Sequence, residues 1–97
     1  MENISGSSLD SMAKAIEDSF VVLICVSEQY RMSINCQAEA QYAFKLKKPI
    51  IPLIMEEGYE NEKGWLGIIM GDKIFVNFSK HPFDACMRKL YNEISIV

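Results

Sequence analysis

Few residues of this chain have a type and spacing that could do chemistry. Glu39 sits roughly one turn inside a segment of helical periodicity, where a helix amino end favours the ionised carboxylate. Cys36, three residues earlier, is a thiol near the same helix end, a setting that favours the nucleophilic thiolate. The polar run Ser27, Glu28, Gln29 and Tyr30 directly follows an apolar stretch, at a point where a strand would end. Each of these has a plainer reading: a solvated helix glutamate, a small buried contact, a loop. Periodicity alone does not select Glu39. Cys25 lies inside the apolar stretch and reads as core. His81, beside Pro82, has no second ligand at metal spacing and reads as a loop residue. Trp65 could stack on a base, but in an apolar turn it reads as core or rim.

The elements that must position these groups follow from patterning. Leu9, Met12, Ala13 and Ile16 recur at helical spacing, so Ser8 to Asp18 reads as an amphipathic helix, with Ser7 and Asp10 in the form of a capping box. Phe20 to Ser27 is short, β-branched and without alternation, which predicts a strand covered on both faces within a parallel sheet. Burying its seven apolar side chains would be worth on the order of 10 kcal/mol. Glu28 to Ser33 reads as a loop, and Ser33 or Asn35 as the cap of a helix to about Leu46. That helix carries Ala38, Tyr42, Ala43 and Leu46 on one stripe.

Pro49 stops the helix, and Ile50 to Met55 predicts a second buried strand, whose internal Pro52 argues for an edge position or a bulge. The segment from Glu56 to Gly64 is an acidic loop. A short turn over residues 64–71 leads to a third strand, Lys73 to Phe78. A last helix from about Phe83 to Ile94 turns Phe83, Met87, Leu90, Tyr91 and Ile94 inward. In open α/β sheets ligands sit beyond the carboxyl ends of the strands, which puts Ser27 to Tyr30 at a rim and Glu39 close to it. The expected fold is α/β, a parallel three-stranded sheet flanked by helices with right-handed crossovers.

Composition narrows the function classes. A net charge of −3 gives no basic face for a phosphate backbone, so no nucleic-acid partner is expected. Lys45, Lys47 and Lys48 form the one basic concentration and read as a solvated helix end favoured by the macrodipole. No apolar run approaches the roughly 18–20 residues that span a bilayer, so no membrane segment is expected in this chain. Three widely spaced cysteines without a C-x-x-C pair make neither a disulfide framework nor a zinc site, which fits a reducing, cytoplasmic setting.

The stretch Val26 to Ile54 resembles the segment from the third to the fourth strand of TIR (Toll/interleukin-1 receptor) domains. The shared pattern is an apolar strand, Ser27, a loop with Tyr30, the Ser33, Cys36, Glu39 register, a helix, and an apolar strand with internal Pro52. The helix before it and the region GWLGIIMGDKIFVNFS fit the same family in order. The resemblance implies the carboxy-terminal part of a flavodoxin-like TIR fold. Residues 1–97 would then be a partial domain, lacking the first strand, first helix and second strand. One departure is Asn35, where the family often carries Trp.

The family contains enzymes that cleave the nicotinamide–ribose bond of NAD+ and members that only assemble and signal. Glu39 falls on the catalytic glutamate of the enzymes. The implied role is a carboxylate beside the nicotinamide ribose, stabilising the positive charge that develops there. Gln at this position would keep the shape and lose the charge. Ser27, Tyr30 and Cys36 are the implied NAD+-facing residues, with NAD+ a substrate and no resident cofactor or metal. Signal transduction or innate immunity is the implied setting, and other TIR domains, in homo- or hetero-oligomers, the implied partners. The alternative is a non-enzymatic module acting by self-association or adaptor binding. The fragment alone is expected to be inactive, and poorly soluble or oligomeric.

Overall fold

Eight elements alternate along the chain, and a computed structural model describes them over residues 6–59, 63–71 and 73–96. They are α1 (Gly6–Glu17), β1 (Val22–Val26), α2 (Glu28–Met32), α3 (Ile34–Lys45), β2 (Ile50–Ile54), α4 (Gly64–Met70), β3 (Val76–Asn77) and α5 (Phe83–Ile96). The strands form one parallel sheet in the order β1-β2-β3, as the sequence predicts. The segment before Gly6 and the Ser7 side chain expected to cap α1 lie outside the described residues, as do residues 60–62 of the acidic loop.

The two runs of branched apolar residues form β1 and β2, in register from Val22 with Ile50 to Val26 with Ile54. On one side of the sheet Val22, Ile24, Val26, Ile50 and Ile54 pack against Ile16 of α1, Ala40 and Ala43 of α3, and Leu66, Ile69 and Met70 of α4. On the other side Ile51, Leu53 and Val76 meet Cys86 and Leu90 of α5. This second layer is narrower than the first.

That asymmetry corrects the expectation for β1. Its residues alternate between buried and exposed, with Leu23 at 39% exposure and Cys25 also exposed. The buried apolar contact of α5 lies over β2 and β3, so the second face of β1 is only partly covered among the described residues. Phe20, at 92% exposure, precedes the strand rather than belonging to it. Three of the seven side chains in the run are fully inside, so its burial contributes roughly half of the 10 kcal/mol expected for full cover.

Pro52 is neither at an edge nor in a bulge: it lies opposite Ile24 in the middle strand. The backbone phase explains its tolerance. Pro49 O and Met55 N bond to β1, whereas Ile54 O accepts from Phe78 N on the β3 side. Position 52 shares the phase of Ile54 and faces β3, which begins only opposite Leu53. The missing N–H of Pro52 therefore points to a place where the third strand has not yet started. The same phase turns the backbone groups of Leu23 and Cys25 toward the outer edge of β1, where no described strand pairs with them.

Five further expectations change. The predicted loop over 28–33 contains the short helix α2, and the predicted turn over 64–71 contains α4, whose Leu66, Ile69 and Met70 are core. The third strand is two residues long. In α3 the inward stripe is Cys36, Ala40 and Ala43, with Tyr42 partly buried, while Ala38 and Leu46 face outward. In α5 the buried pair is Cys86 and Leu90, and Phe83, Met87, Tyr91 and Ile94 lie exposed.

Candidate functional site

The rim is built where β1 ends. Ser27 has extended backbone, and its Oγ accepts a hydrogen bond from Tyr30 N at 3.2 Å, capping α2. Ser33 repeats the device one element later: its Oγ accepts from Cys36 N at 3.2 Å and starts α3. Two serine caps six residues apart in sequence thus fold the chain from strand into α2 and then into α3. The compact turn carries Tyr30 inward, where it is buried, and sets Glu39 on the facing side of α3.

Tyr30 donates its phenolic hydrogen to Glu39 Oε1, at 3.5 Å. Burial, and then the neighbouring Glu39 carboxylate, push the phenol well above the usual tyrosine range, so it remains a neutral donor. The Tyr30 ring also meets the Trp65 ring of α4, with centroids 6.3 Å apart and planes tilted by 31°. Aromatic support beside the carboxylate therefore comes from Tyr30, itself packed on Trp65, although Asn35 is exposed and supplies none. Trp65 is partly buried against the core, in line with its reading as core or rim.

A shallow depression surrounds this turn. One part, about 330 Å³, is lined by Cys25, Ser27, Gln29, Tyr30, Ser33 and Cys36. The other, about 510 Å³, is lined by Ser27, Glu28, Gln29, Met32 and Glu56. Of the residues expected at the site, Ser27, Tyr30 and Cys36 share the first part. Glu39 is outside both walls and meets the depression through the Tyr30 hydroxyl. Cys36 is half-buried and also packs against the core, so its position serves α3 as well as the rim. His81 is exposed in the loop before α5, away from this turn.

Glu56 is a rim residue that sequence reasoning passed over. One of its carboxylate oxygens accepts from Glu28 N at 2.8 Å, tying the end of β2 to the start of α2. Because Glu56 follows a strand parallel to β1, the rule that strand carboxyl ends share one rim would have found it. No comparable signal pointed to Trp65, which reaches Tyr30 across 35 positions of sequence.

A family model described as the TIR domain matches residues 2–91, almost the whole chain. The chain belongs to the TIR domain family, and its parallel sheet with flanking helices is the α/β, flavodoxin-like arrangement of that family. No curated protein and no solved structure matches it. No described helix is long and apolar enough to cross a membrane.

Proposed function

We propose that this TIR domain is an NAD+ glycohydrolase and that Glu39 is its essential carboxylate. The observation that carries the reading is the Tyr30–Glu39 hydrogen bond at the carboxyl end of β1. It holds one carboxylate oxygen beside the rim and leaves the half-buried group able to face a ligand through the other.

In the reaction the bond between ribose C1′ and the nicotinamide nitrogen breaks, and its electron pair leaves with neutral nicotinamide. The ribose acquires oxocarbenium character, and the Glu39 carboxylate stabilises that positive charge. An oxygen or nitrogen nucleophile then bonds to C1′, giving a linear or a cyclised product. Tyr30 fixes the orientation of the carboxylate. Ser27 and Ser33 hold the two helix starts that carry Tyr30 and Glu39. The test is nicotinamide release from NAD+ by the full-length protein and its Glu39→Gln form; equal turnover by the two removes Glu39 from the mechanism.

A second reading is assembly through other TIR domains, in a cytoplasmic signalling or immune role. The partly open face of β1 and its outer edge, which no described strand pairs, with exposed Phe20 and Leu23, favour it. The two readings are compatible, because an assembled neighbour would close the rim on its open side. Light scattering checks this reading: a monomer at every concentration with signalling intact contradicts it.

A further inference from the structure

We infer that Glu56 is a positioning residue for the Glu39 carboxylate. It sets the start of α2, α2 sets Tyr30, and the Tyr30 hydroxyl orients Glu39. The inference deepens the reading of Glu39 as the essential carboxylate and rests on it. Glu56 stands on a fixed frame. Between it and the end of β2 lies only Met55, which donates its N–H to Val26 O at 2.9 Å. Ile54 O, at the same strand end, accepts from Phe78 N at 2.8 Å. β2 is thus held by both neighbours where Glu56 leaves it.

From this frame one carboxylate oxygen accepts from Glu28 N at 2.8 Å. Glu28 is the first residue of α2, and its N–H is among those that a helix start leaves without an internal partner. The Ser27 hydroxyl serves Tyr30 N and not this group. A carboxylate at a helix amino end is also favoured by the peptide dipoles. The bond is charge-assisted and shorter than the 3.2 Å cap from Ser27. α2 is five residues long, far below the length at which a helix persists alone, so its direction comes from such ties.

The contact that depends on α2 is a sensitive one. The Tyr30 hydroxyl reaches Glu39 Oε1 at 3.5 Å, the outer limit of hydrogen bonding, so a shift of α2 by a few tenths of an ångström breaks it. A catalytic group misplaced by about 1 Å loses rate by about 100-fold. Glu56 also lines the depression beside Ser27 and Met32. A role in holding substrate there would act on KM, whereas a role through Tyr30 and Glu39 acts on kcat.

Nicotinamide release from NAD+ by the full-length protein, at matched assembly state, provides the test. Glu56→Ala should keep its circular dichroism and lower kcat about tenfold, with KM changed less than about twofold. Glu56→Gln keeps an oxygen acceptor for Glu28 N and should recover most of the loss. Glu28→Pro deletes the same bond from the donor side. Proline fits the first position of a helix, and Ser27 before it already has the extended backbone that proline requires. This variant should lower kcat as Glu56→Ala does. In a Tyr30→Phe background Glu56→Ala should add no further loss, because the route to Glu39 is already cut. Unchanged kcat in Glu56→Ala or Glu28→Pro, a rise in KM in its place, or loss of the fold overturns the inference. So do Glu56→Gln no better than Glu56→Ala, and independent losses at Glu56 and Tyr30. With Glu39→Gln inactive, these results leave the reading of Glu39 standing. A wild type that releases no nicotinamide, or equal turnover by Glu39→Gln, overturns that reading and this inference with it.

Discussion

The Tyr30 hydroxyl and Glu39 Oε1 lie 3.5 Å apart, joining two helices that start from successive serine caps. The contact is long for a hydrogen bond to a carboxylate, so its value lies in orientation more than in stability. Tyr30→Phe keeps the ring and its contact with Trp65 and deletes only the donor. Urea unfolding should show a loss of about 1 kcal/mol or less. Turnover of NAD+ should fall by a larger factor, with kcat affected more than KM, because the carboxylate is then free to rotate away from C1′.

Burial and the Glu39 charge both oppose ionisation of Tyr30, so its folded pKa is above its unfolded value. The unfolded chain ionises near pH 10, while the folded protein keeps the proton. The stabilisation is fully present below about pH 10 and declines as pH rises toward the folded pKa. Tyr42 is shifted in the same direction by its hydrogen bond to Glu17. Unfolding midpoints followed from pH 9 to 11.5 should drop, and the drop should be smaller in Tyr30→Phe. An identical slope in the variant would assign the alkaline loss to other groups.

The two faces of β1 should respond unequally to truncation. Ile24 is fully buried between β2 and the helices, whereas Leu23 is exposed on the other face. Ile24→Ala should cost about 3–4 kcal/mol, a large fraction of the stability of a domain of this size, and Leu23→Ala less than about 1 kcal/mol. Denaturant midpoints of the two variants check this. Equal losses would mean that the outer face of β1 is covered in solution, as assembly would require.

Lys47 closes α3 in the left-handed region, with φ of 59°, where a side chain is strained. Lys48 N bonds to Ala43 O and Lys47 N to Phe44 O, the Schellman arrangement that glycine usually completes. Lys47→Gly should raise stability by about 0.5–1 kcal/mol, read as a higher melting temperature. A lower melting temperature would show that the Lys47 side chain contributes more than its backbone costs.

The parts of the fold that could be read ahead were those with a strong local signal. The continuous runs around Ile24 and Ile51 have no other stable use than strands, and Ser33 announces the start of α3 by its type and place. Glu28–Met32 is too short to show a period, so α2 depended on recognising Ser27 as a cap. In α5 apolar residues stand on more than one face. The sheet, and not the periodicity, selects Cys86 and Leu90 over Phe83 and Tyr91, the latter 73% exposed. The phase that lets Pro52 sit in the middle strand depends on where β3 begins, which only the assembled sheet defines. At the site, the register of Ser33, Cys36 and Glu39 was legible through the family likeness. The residues that brace the neighbouring turn, Glu56 on Glu28 N and Trp65 on the Tyr30 ring, arrive from distant segments.

Nicotinamide release from NAD+ by the full-length protein, measured beside its Glu39→Gln variant at matched assembly state, tests the central claim most directly. The account predicts turnover by the wild type and a loss of about 100-fold or more in the variant, in keeping with removal of the charge that stabilises the transition state. Wild-type protein that releases no nicotinamide contradicts the enzymatic assignment, and a variant that releases it at the same rate as an active wild type removes Glu39 from the mechanism. The first result would leave the chain a TIR domain whose work is association.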